Sequence, residues 1–316
     1  MITVLFAADP VFWDDYRPHL ETALAAEGLN AALTRQAAPE AVDYIVFSPG
    51  GTVQDFTPFV RAKAVLNLWA GVEKVVGNPT LTQPLCRMVD PAMTRTMTEW
   101  VVGHVMRHHL GSDVHVLGQD GIWCADDPAF PDIPRKLASE RPVTVLGMGE
   151  LGRASAQALA GLGFPVTGWS RTPHDVSGIR CLSGEDGLTA ALTGAEGVIT
   201  LLPNTPETEN TLNAETLALL APGAFVINPG RGVLIDDAAL LAALERRQVG
   251  HATLDVFRVE PLPPDHPFWH HPRVTVTPHI AAISRPVTAS RVIAGNIRRA
   301  EAGEPLLHLV DRARGY

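Results

Sequence analysis

The sequence predicts an α/β protein with parallel sheets, divided into two domains. Short apolar runs alternate with amphipathic helical patterns from end to end, as βα units require. Several of those runs end in glycine-containing turns, such as Ser48-Pro49-Gly50-Gly51 and Ala70-Gly71. A chain of 316 residues is also long enough for two domains, each burying its own core.

Ile2–Ala7 reads as the first strand and Phe12–Glu27 as the first helix, with further strands at Tyr44–Phe47 and Ala64–Leu68. The first region closes near residue 98. Thr94–Leu110 carries Met97, Val101, Val105 and Leu110 at helical spacing with few breakers, which predicts a long helix. Residues 111–142 show no clear period and hold several prolines, so an irregular arm is expected there. Pro142 then opens a second series of strands at Val143–Leu146, Val166–Trp169, Gly197–Leu201, Ala224–Asn228, His251–Leu254 and Val274–Thr277. Helices fit between them, notably at Glu150–Leu162 and Asp236–Arg247, and a last one near Arg285–Ala302 leads into the tail.

Composition removes several classes of function. Gly and Pro together make up about a sixth of the chain and 46% of it is hydrophobic, which excludes whole-chain disorder. The net charge is −9 and the basic residues form no run, so no nucleic-acid partner is expected. Cys86, Cys124 and Cys181 are widely spaced with no CxxC, which suits a reducing compartment and offers neither a disulfide framework nor a thiolate zinc site. The N-terminus lacks a basic leader and meets Asp9 and Pro10 early, and the longest uncharged stretch, Ala154–Ser170, is broken by glycines and Pro165. A cytoplasmic protein with no membrane partner is the expectation.

Val143–Leu146 runs into Gly147-Met148-Gly149-Glu150-Leu151-Gly152, a GxGxxG that follows a strand and opens a helix. Gly147 permits the tight turn, Gly149 lets backbone approach a pyrophosphate and Gly152 lets helix and strand pack closely, with the helix N-terminus facing the anion. An NAD site would place an acid about 20 residues on, to hold the ribose 2′-OH. Here Trp169-Ser170-Arg171-Thr172 stands at that point, with no Asp or Glu between Phe164 and His174. Arg171, with hydroxyl donors at Ser170 and Thr172, suits a 2′-phosphate and therefore NADP(H).

Three later strand ends carry Asn228-Pro229-Gly230-Arg231-Gly232, Asp255-Val256-Phe257-Arg258-Val259-Glu260, and Thr277-Pro278-His279-Ile280-Ala281-Ala282. Ligands of open α/β sheets bind outside the carboxyl ends of strands, so these segments can share one crevice. Arg, Glu and His suit a carbonyl reduction: a guanidinium grips a carboxylate, an imidazolium delivers a proton, and a carboxylate fixes the imidazole tautomer.

On these residues the chain resembles the D-isomer-specific 2-hydroxyacid dehydrogenase family, and within it a branch that reduces glyoxylate and hydroxypyruvate. The resemblance also draws on Leu201-Leu202-Pro203-Asn204-Thr205-Pro206-Glu207-Thr208, on Glu260-Pro261-Leu262-Pro263-Pro264 and on the tail Val310–Tyr316. It implies two Rossmann-like doubly wound domains with the active site in the cleft between them. Residues 1–98 plus 285–316 would form a discontinuous substrate domain, and 99–284 the NADP-binding domain. It further implies catalysis by Arg231, Glu260 and His279. Asp255 would lie near the nicotinamide, with Leu202 and Pro203 on the adenosine side and Thr208, Pro229, Gly230 and Ala281 also against the cofactor. Leu68-Trp69-Ala70-Gly71-Val72 matches the loop that holds the substrate carboxylate, with Trp69 walling the pocket. The partners implied are a small 2-oxoacid and a second copy of the chain.

Pro229 and Gly230 depart from the bulkier residues usual in the family, which puts the turn presenting Arg231 in question, and the Phe47–Gly51 segment also differs from its relatives. His104 and His108 lie four apart on the long helix without an acidic partner, so a surface or interface pair is expected and no metal site. His266, His270 and His271 are expected as polar loop residues, Met97 and Trp100 as core or interface. A larger 2-oxoacid such as phenylpyruvate would suit the same machinery. A dinucleotide-sensing binding protein is the competing class, and the intact Arg–Glu–His set argues against it.

Overall fold

The computed structural model describes residues 1–113 and 136–315. The arm expected at 111–142 lies mostly outside them, as does Cys124; its described end carries a 3-10 turn at Ala138–Glu140. The chain divides into two compact units, Met1–Thr94 with Ile283–Tyr316, and Arg95–Ala282. No helix among the described residues is long and apolar enough to cross a membrane.

The first unit is a parallel sheet of β1 (Ile2–Phe6), β2 (Ala31–Thr34), β3 (Tyr44–Phe47), β4 (Ala64–Asn67) and β5 (Leu85–Cys86), in the order β2-β1-β3-β4-β5. β3 and β4 are buried throughout, as the interior of a parallel sheet covered on both faces requires. The two strands not expected from sequence stand at its edges. Ala31–Thr34 carries no β-branched run and is half-buried, and Leu85–Cys86 is only two residues long, so neither has a periodic signature.

Helix α1 (Trp13–Ala26) begins one residue later than expected, because Asp9 caps a preceding 3-10 turn at Pro10–Phe12 through Oδ1, which accepts from the Val11 N–H at 3.0 Å. Helix α2 (Pro91–Leu110), within which the division between units falls, starts three residues earlier than its apolar pattern suggests. Asp90 Oδ1 accepts from the Ala92 N–H at 3.0 Å and Pro91 needs no donor partner, which makes Asp-Pro the start signal.

The second unit is an all-parallel sheet ordered β12-β11-β10-β9-β6-β7-β8. Its strands are β6 (Val143–Leu146), β7 (Val166–Ser170), β8 (Arg180–Ser183), β9 (Gly197–Thr200), β10 (Ala224–Asn228), β11 (Val249–Leu254) and β12 (Val274–Val276). The helices are α3 (Glu150–Gly161), α4 (Gly184–Leu192), α5 (Ala214–Ala218) and α6 (Asp237–Glu245). In the first unit α7 (Pro286–Glu301) turns Ala289, Ile293, Ala294 and Ile297 inward at helical spacing. β8 was not expected from sequence, since Arg180–Ser183 is a half-exposed edge strand without an apolar run.

His108, expected with His104 as a surface or interface pair, packs within the second unit. Its ring stacks on Phe225 with centroids 5.0 Å apart, lies 5.0 Å from His251, and its Nε2 pairs with Thr253 Oγ1 at 3.0 Å. Burial lowers the His251 pKa to about 4, with Arg107, His271 and Arg273 adding to the effect and Asp113 opposing it, and burial also lowers His108. Both rings therefore fold neutral. The unfolded chain binds more protons from pH 6.5 down to about 4, so stability is complete above that window and is lost as pH falls through it. For His251 alone the loss is on the order of 3 kcal/mol. Urea unfolding at pH 7.5 and 5 should show His251→Asn flattening the acid-side slope; an unchanged slope would contradict the neutral assignment.

Candidate active site

Parallel pairing throughout the second sheet sets the carboxyl ends of its strands along one edge. The chain enters at β6, winds outward through β7 and β8, then returns to continue through β9 to β12. The crevice of such a sheet opens where the winding reverses, here between β6 and β9. GxGxxG leaves β6, Arg171 follows β7, Leu202-Pro203 follows β9, and Arg231, Glu260 and His279 follow β10, β11 and β12.

The glycine turn has the geometry of a pyrophosphate cradle. Gly147 has φ +106°, and a Cβ there would stand 2.4 Å from the Leu201 carbonyl oxygen. A Cβ on Gly152 would stand 1.7 Å from the Gly147 carbonyl oxygen, so α3 is seated directly against the turn. At Gly149 nothing lies within 4 Å of a Cβ position, which leaves its backbone open to a ligand. α3 runs for 12 residues from this point, and the free N–H groups of its first turn carry its positive end. A dinucleotide fits these residues. Met148 itself is buried, with its Sδ where a Cβ on Gly168 would fall, so only its backbone faces the turn. Glu150 is exposed and paired with Arg153 at 2.6 Å, and Leu151 packs into the core beneath the turn.

At the end of β7, the expected donor role of Ser170 needs correction. Its hydroxyl donates to the Thr172 carbonyl at 2.8 Å, so its proton shapes the turn. Arg171 and Thr172 are exposed. Trp169 is half-buried and donates from Nε1 to the Gly184 carbonyl at 2.9 Å. The tertiary structure also brings an acid to Arg171 that local sequence did not reveal: Glu207 is held below the usual carboxylate range by the Thr205 hydroxyl, by its own backbone N–H and by the charge of Arg171. Thr208 closes the same turn, donating to the Pro203 carbonyl at 2.7 Å, while Leu202 is buried.

His279 and Glu260 are brought together: Nδ1 lies 2.8 Å from Oε2, with side chains 51% and 35% exposed. Glu260 is aimed by its other oxygen, which accepts from the Phe257 N–H at 2.9 Å. His279 has φ +55°, an uncommon backbone for a side chain of this size. Asp255 holds it there. The Asp255 carbonyl accepts from the His279 N–H at 2.9 Å. Its fully buried carboxylate accepts from Thr277 Oγ1 at 2.5 Å and from the Ile280 and Ala281 N–H groups at 2.9 Å. Asp255, expected beside the nicotinamide, thus directs its carboxylate into the loop that carries the histidine.

Arg231 is presented by a turn that Asn228 closes. Asn228 Oδ1 accepts from Thr200 Oγ1 at 2.6 Å and from the Gly230 N–H at 3.1 Å, while Nδ2 donates to the Arg231 carbonyl at 2.9 Å. The Pro229-Gly230 departure therefore sits in a cross-braced turn, and Arg231 Nη1 donates to the Gly230 carbonyl at 2.7 Å. Arg258 ties the neighbouring loops, donating to Ile235 O at 2.8 Å and pairing with Glu209 at 3.1 Å. Asn228 and Arg258 were not singled out from sequence; Asn228, as the last residue of an otherwise apolar strand, was the available signal.

In the first unit, Trp69 is 38% exposed and lies two residues beyond the end of β4. Ser48 is wholly buried and accepts from the Asp9 N–H at 3.0 Å, so its hydroxyl points into the fold. His266 and His271 lie in loops as expected, each accepting a nearby backbone N–H. Met97 is core, and Trp100 packs against the same cluster.

Residues 102–281 match the family model for the NAD binding domain of D-isomer specific 2-hydroxyacid dehydrogenases. Glyoxylate/hydroxypyruvate reductase A of Serratia proteamaculans is 42% identical over 264 residues, covering 81% of this chain and 82% of its own. The protein of that name from Yersinia enterocolitica is 37% identical and covers 95% of this chain and 98% of its own. Among solved structures, a D-isomer specific 2-hydroxyacid dehydrogenase from Xanthobacter autotrophicus Py2, in complex with NADPH and MES, shares 39% identity with a TM-score of 0.88, over 100% of this chain and 99% of its own. The NADPH-dependent glyoxylate/hydroxypyruvate reductase of Sinorhizobium meliloti, in complex with NADP and sulfate, shares 33% identity with a TM-score of 0.81 over the same shares. With its sheet order, its glycine cradle and its His279–Glu260 pair in place, the chain belongs to the D-isomer-specific 2-hydroxyacid dehydrogenase family.

Proposed function

We propose that this chain reduces glyoxylate to glycolate and hydroxypyruvate to D-glycerate with NADPH, using Arg231, Glu260 and His279. As a member of its family the chain is an NADP-dependent oxidoreductase, and relatives that cover most of it carry those two substrates in their names. The observation that carries the reading is the His279–Glu260 pair at 2.8 Å, on the strand edge that also bears the glycine cradle.

NADPH, when bound, supplies the hydride that reaches the carbonyl carbon. Glu260 holds Nδ1 of His279, so Nε2 is the nitrogen that protonates the developing alkoxide. Arg231 binds the substrate carboxylate and polarises the adjacent carbonyl. The 69–72 loop, by resemblance, receives the same carboxylate through its backbone N–H groups. We assign the substrate role to the first unit and the cofactor role to the second. The assembly follows the family as a homodimer. Cys86 and Cys181 form no disulfide among the described residues, which suits the cytoplasm.

A steady-state assay of NADPH against glyoxylate, hydroxypyruvate, pyruvate and phenylpyruvate tests the assignment. The first two should give the highest kcat/KM. A larger value for phenylpyruvate would replace the named substrates, and tight NADPH binding without oxidation by any of them would overturn the reductase reading. Cofactor choice has its own test: Arg171→Ala should weaken NADPH binding by roughly 1.5–3 kcal/mol, the scale of a charged hydrogen bond, and leave NADH nearly unaffected. Equal losses for both cofactors would remove Arg171 from the 2′-phosphate.

A further inference from the structure

Asn67 ends β4 with its side chain almost wholly buried, and the 68–72 loop folds over it. Its Nδ2 donates to the Trp69 carbonyl and to the Gly71 carbonyl, both at 2.9 Å. Two other donors pull the loop the same way. Ser284 Oγ donates to the Leu68 carbonyl at 2.8 Å, and the Met88 N–H to the Trp69 carbonyl at 3.0 Å. Gly71 has no donor to its carbonyl besides Asn67 among the described residues.

In a trans peptide the C=O and the following N–H point in opposite directions. Carbonyls drawn toward Asn67 at Trp69 and Gly71 therefore turn the N–H groups of Ala70 and Val72 away from it, and neither donates to an acceptor among the described residues. Two such N–H groups, on either side of Gly71 and both facing away from Asn67, offer an anion a pair of donors. The cost of the arrangement is visible in the same side chain: Asn67 Oδ1 is buried and accepts no hydrogen bond among the described residues. Leaving a buried acceptor unsatisfied is unfavourable, and the two bonds that Nδ2 donates are what the carboxamide supplies in return. An aspartate of the same shape would offer none.

We propose that Asn67 is the positioning residue that aims the N–H groups of Ala70 and Val72 and so makes the 69–72 loop a receptor for the substrate carboxylate. This rests on the 2-oxoacid reductase reading above. Asn67 touches no substrate; it acts through the two carbonyls it holds. Val72 depends on it most, since the Trp69 carbonyl keeps the Met88 donor when Asn67 is replaced.

The test uses Asn67→Ala and the isosteric Asn67→Asp, assayed with NADPH and glyoxylate, with oxamate as a non-reacting anion of the same class. KM for glyoxylate and the inhibition constant of oxamate should rise together by roughly 10- to 100-fold, the scale of one or two lost hydrogen bonds to a charged group. The NADPH dissociation constant should not change, and kcat at saturating glyoxylate should fall far less than KM rises. A lower melting temperature with unchanged KM and oxamate inhibition would make Asn67 purely structural and overturn the proposal. Should both variants fail to fold, hydrogen exchange on the wild-type enzyme with NADP decides: oxamate should protect the amides of Ala70 and Val72, and no protection would overturn the proposal. A wild type that oxidises NADPH with no 2-oxoacid would strike the reductase reading, whereas an active wild type with unaltered variants strikes Asn67 alone.

Discussion

Replacing His279 by alanine should lower kcat for glyoxylate by on the order of 10²–10⁴-fold, the usual scale of general acid catalysis, while NADPH binds as before. The magnitude follows from the arrangement of the ring. Nδ1 is committed to Glu260 at 2.8 Å, and the backbone of His279 is held in the left-handed region by Asp255 and the 277–281 loop. Only Nε2 remains to deliver a proton, and no other group on that loop can replace it. Glu260→Gln keeps an acceptor for the ring but removes the charge opposite it, so kcat should fall by a smaller factor. The check is single-turnover reduction with NADPH preloaded, which separates the chemical step from product release. Turnover by His279→Ala equal to wild type would remove this histidine from the mechanism.

Gly152→Ala should abolish useful NADPH affinity, weakening it by at least about 100-fold, and should lower stability as well. The new Cβ would sit 1.7 Å from the Gly147 carbonyl oxygen, and both partners are backbone, so no side chain can swing aside. Either α3 moves off the turn or the turn opens, and each removes the cradle. Alanine gains about 1 kcal/mol of helix propensity over glycine, against about 1–3 kcal/mol or more for overpacking. Gly161→Ala in the same helix is the control. Nothing lies within 4 Å of its Cβ position, so it should be neutral or mildly stabilising. Fluorescence titration with NADPH, beside thermal unfolding of both variants, reads the difference. Wild-type affinity in Gly152→Ala would mean that the close approach is not needed for the cofactor.

Much of the second unit was legible because its signals are local. A buried strand followed by GxGxxG and a helix needs only residues 143–162, and each of its three glycines answers a separate steric demand. The strands that precede Arg231, Glu260 and His279 likewise declare themselves as apolar runs. Edge strands β2, β5 and β8 were silent because a half-exposed or two-residue strand has no periodicity to display. The start of α2 at Pro91 was readable from Asp90-Pro91, a cap signal that the apolar pattern alone does not contain.

By itself the sequence determined the fold class, the place of the dinucleotide turn and the residue types available for carbonyl reduction, since all three depend on patterns within a few tens of residues. The tertiary structure alone decided where hydrogen-bonding capacity goes. Asp255 turns into the histidine loop, Ser170 donates to its own turn, Glu207 comes within the field of Arg171, His108 is enclosed against Phe225 and His251, and Asn67 holds two carbonyls beneath the 69–72 loop. The physical reason is that a polar side chain has only a few donors and acceptors. Which partners satisfy them is settled by segments that meet only when strands distant along the chain lie side by side.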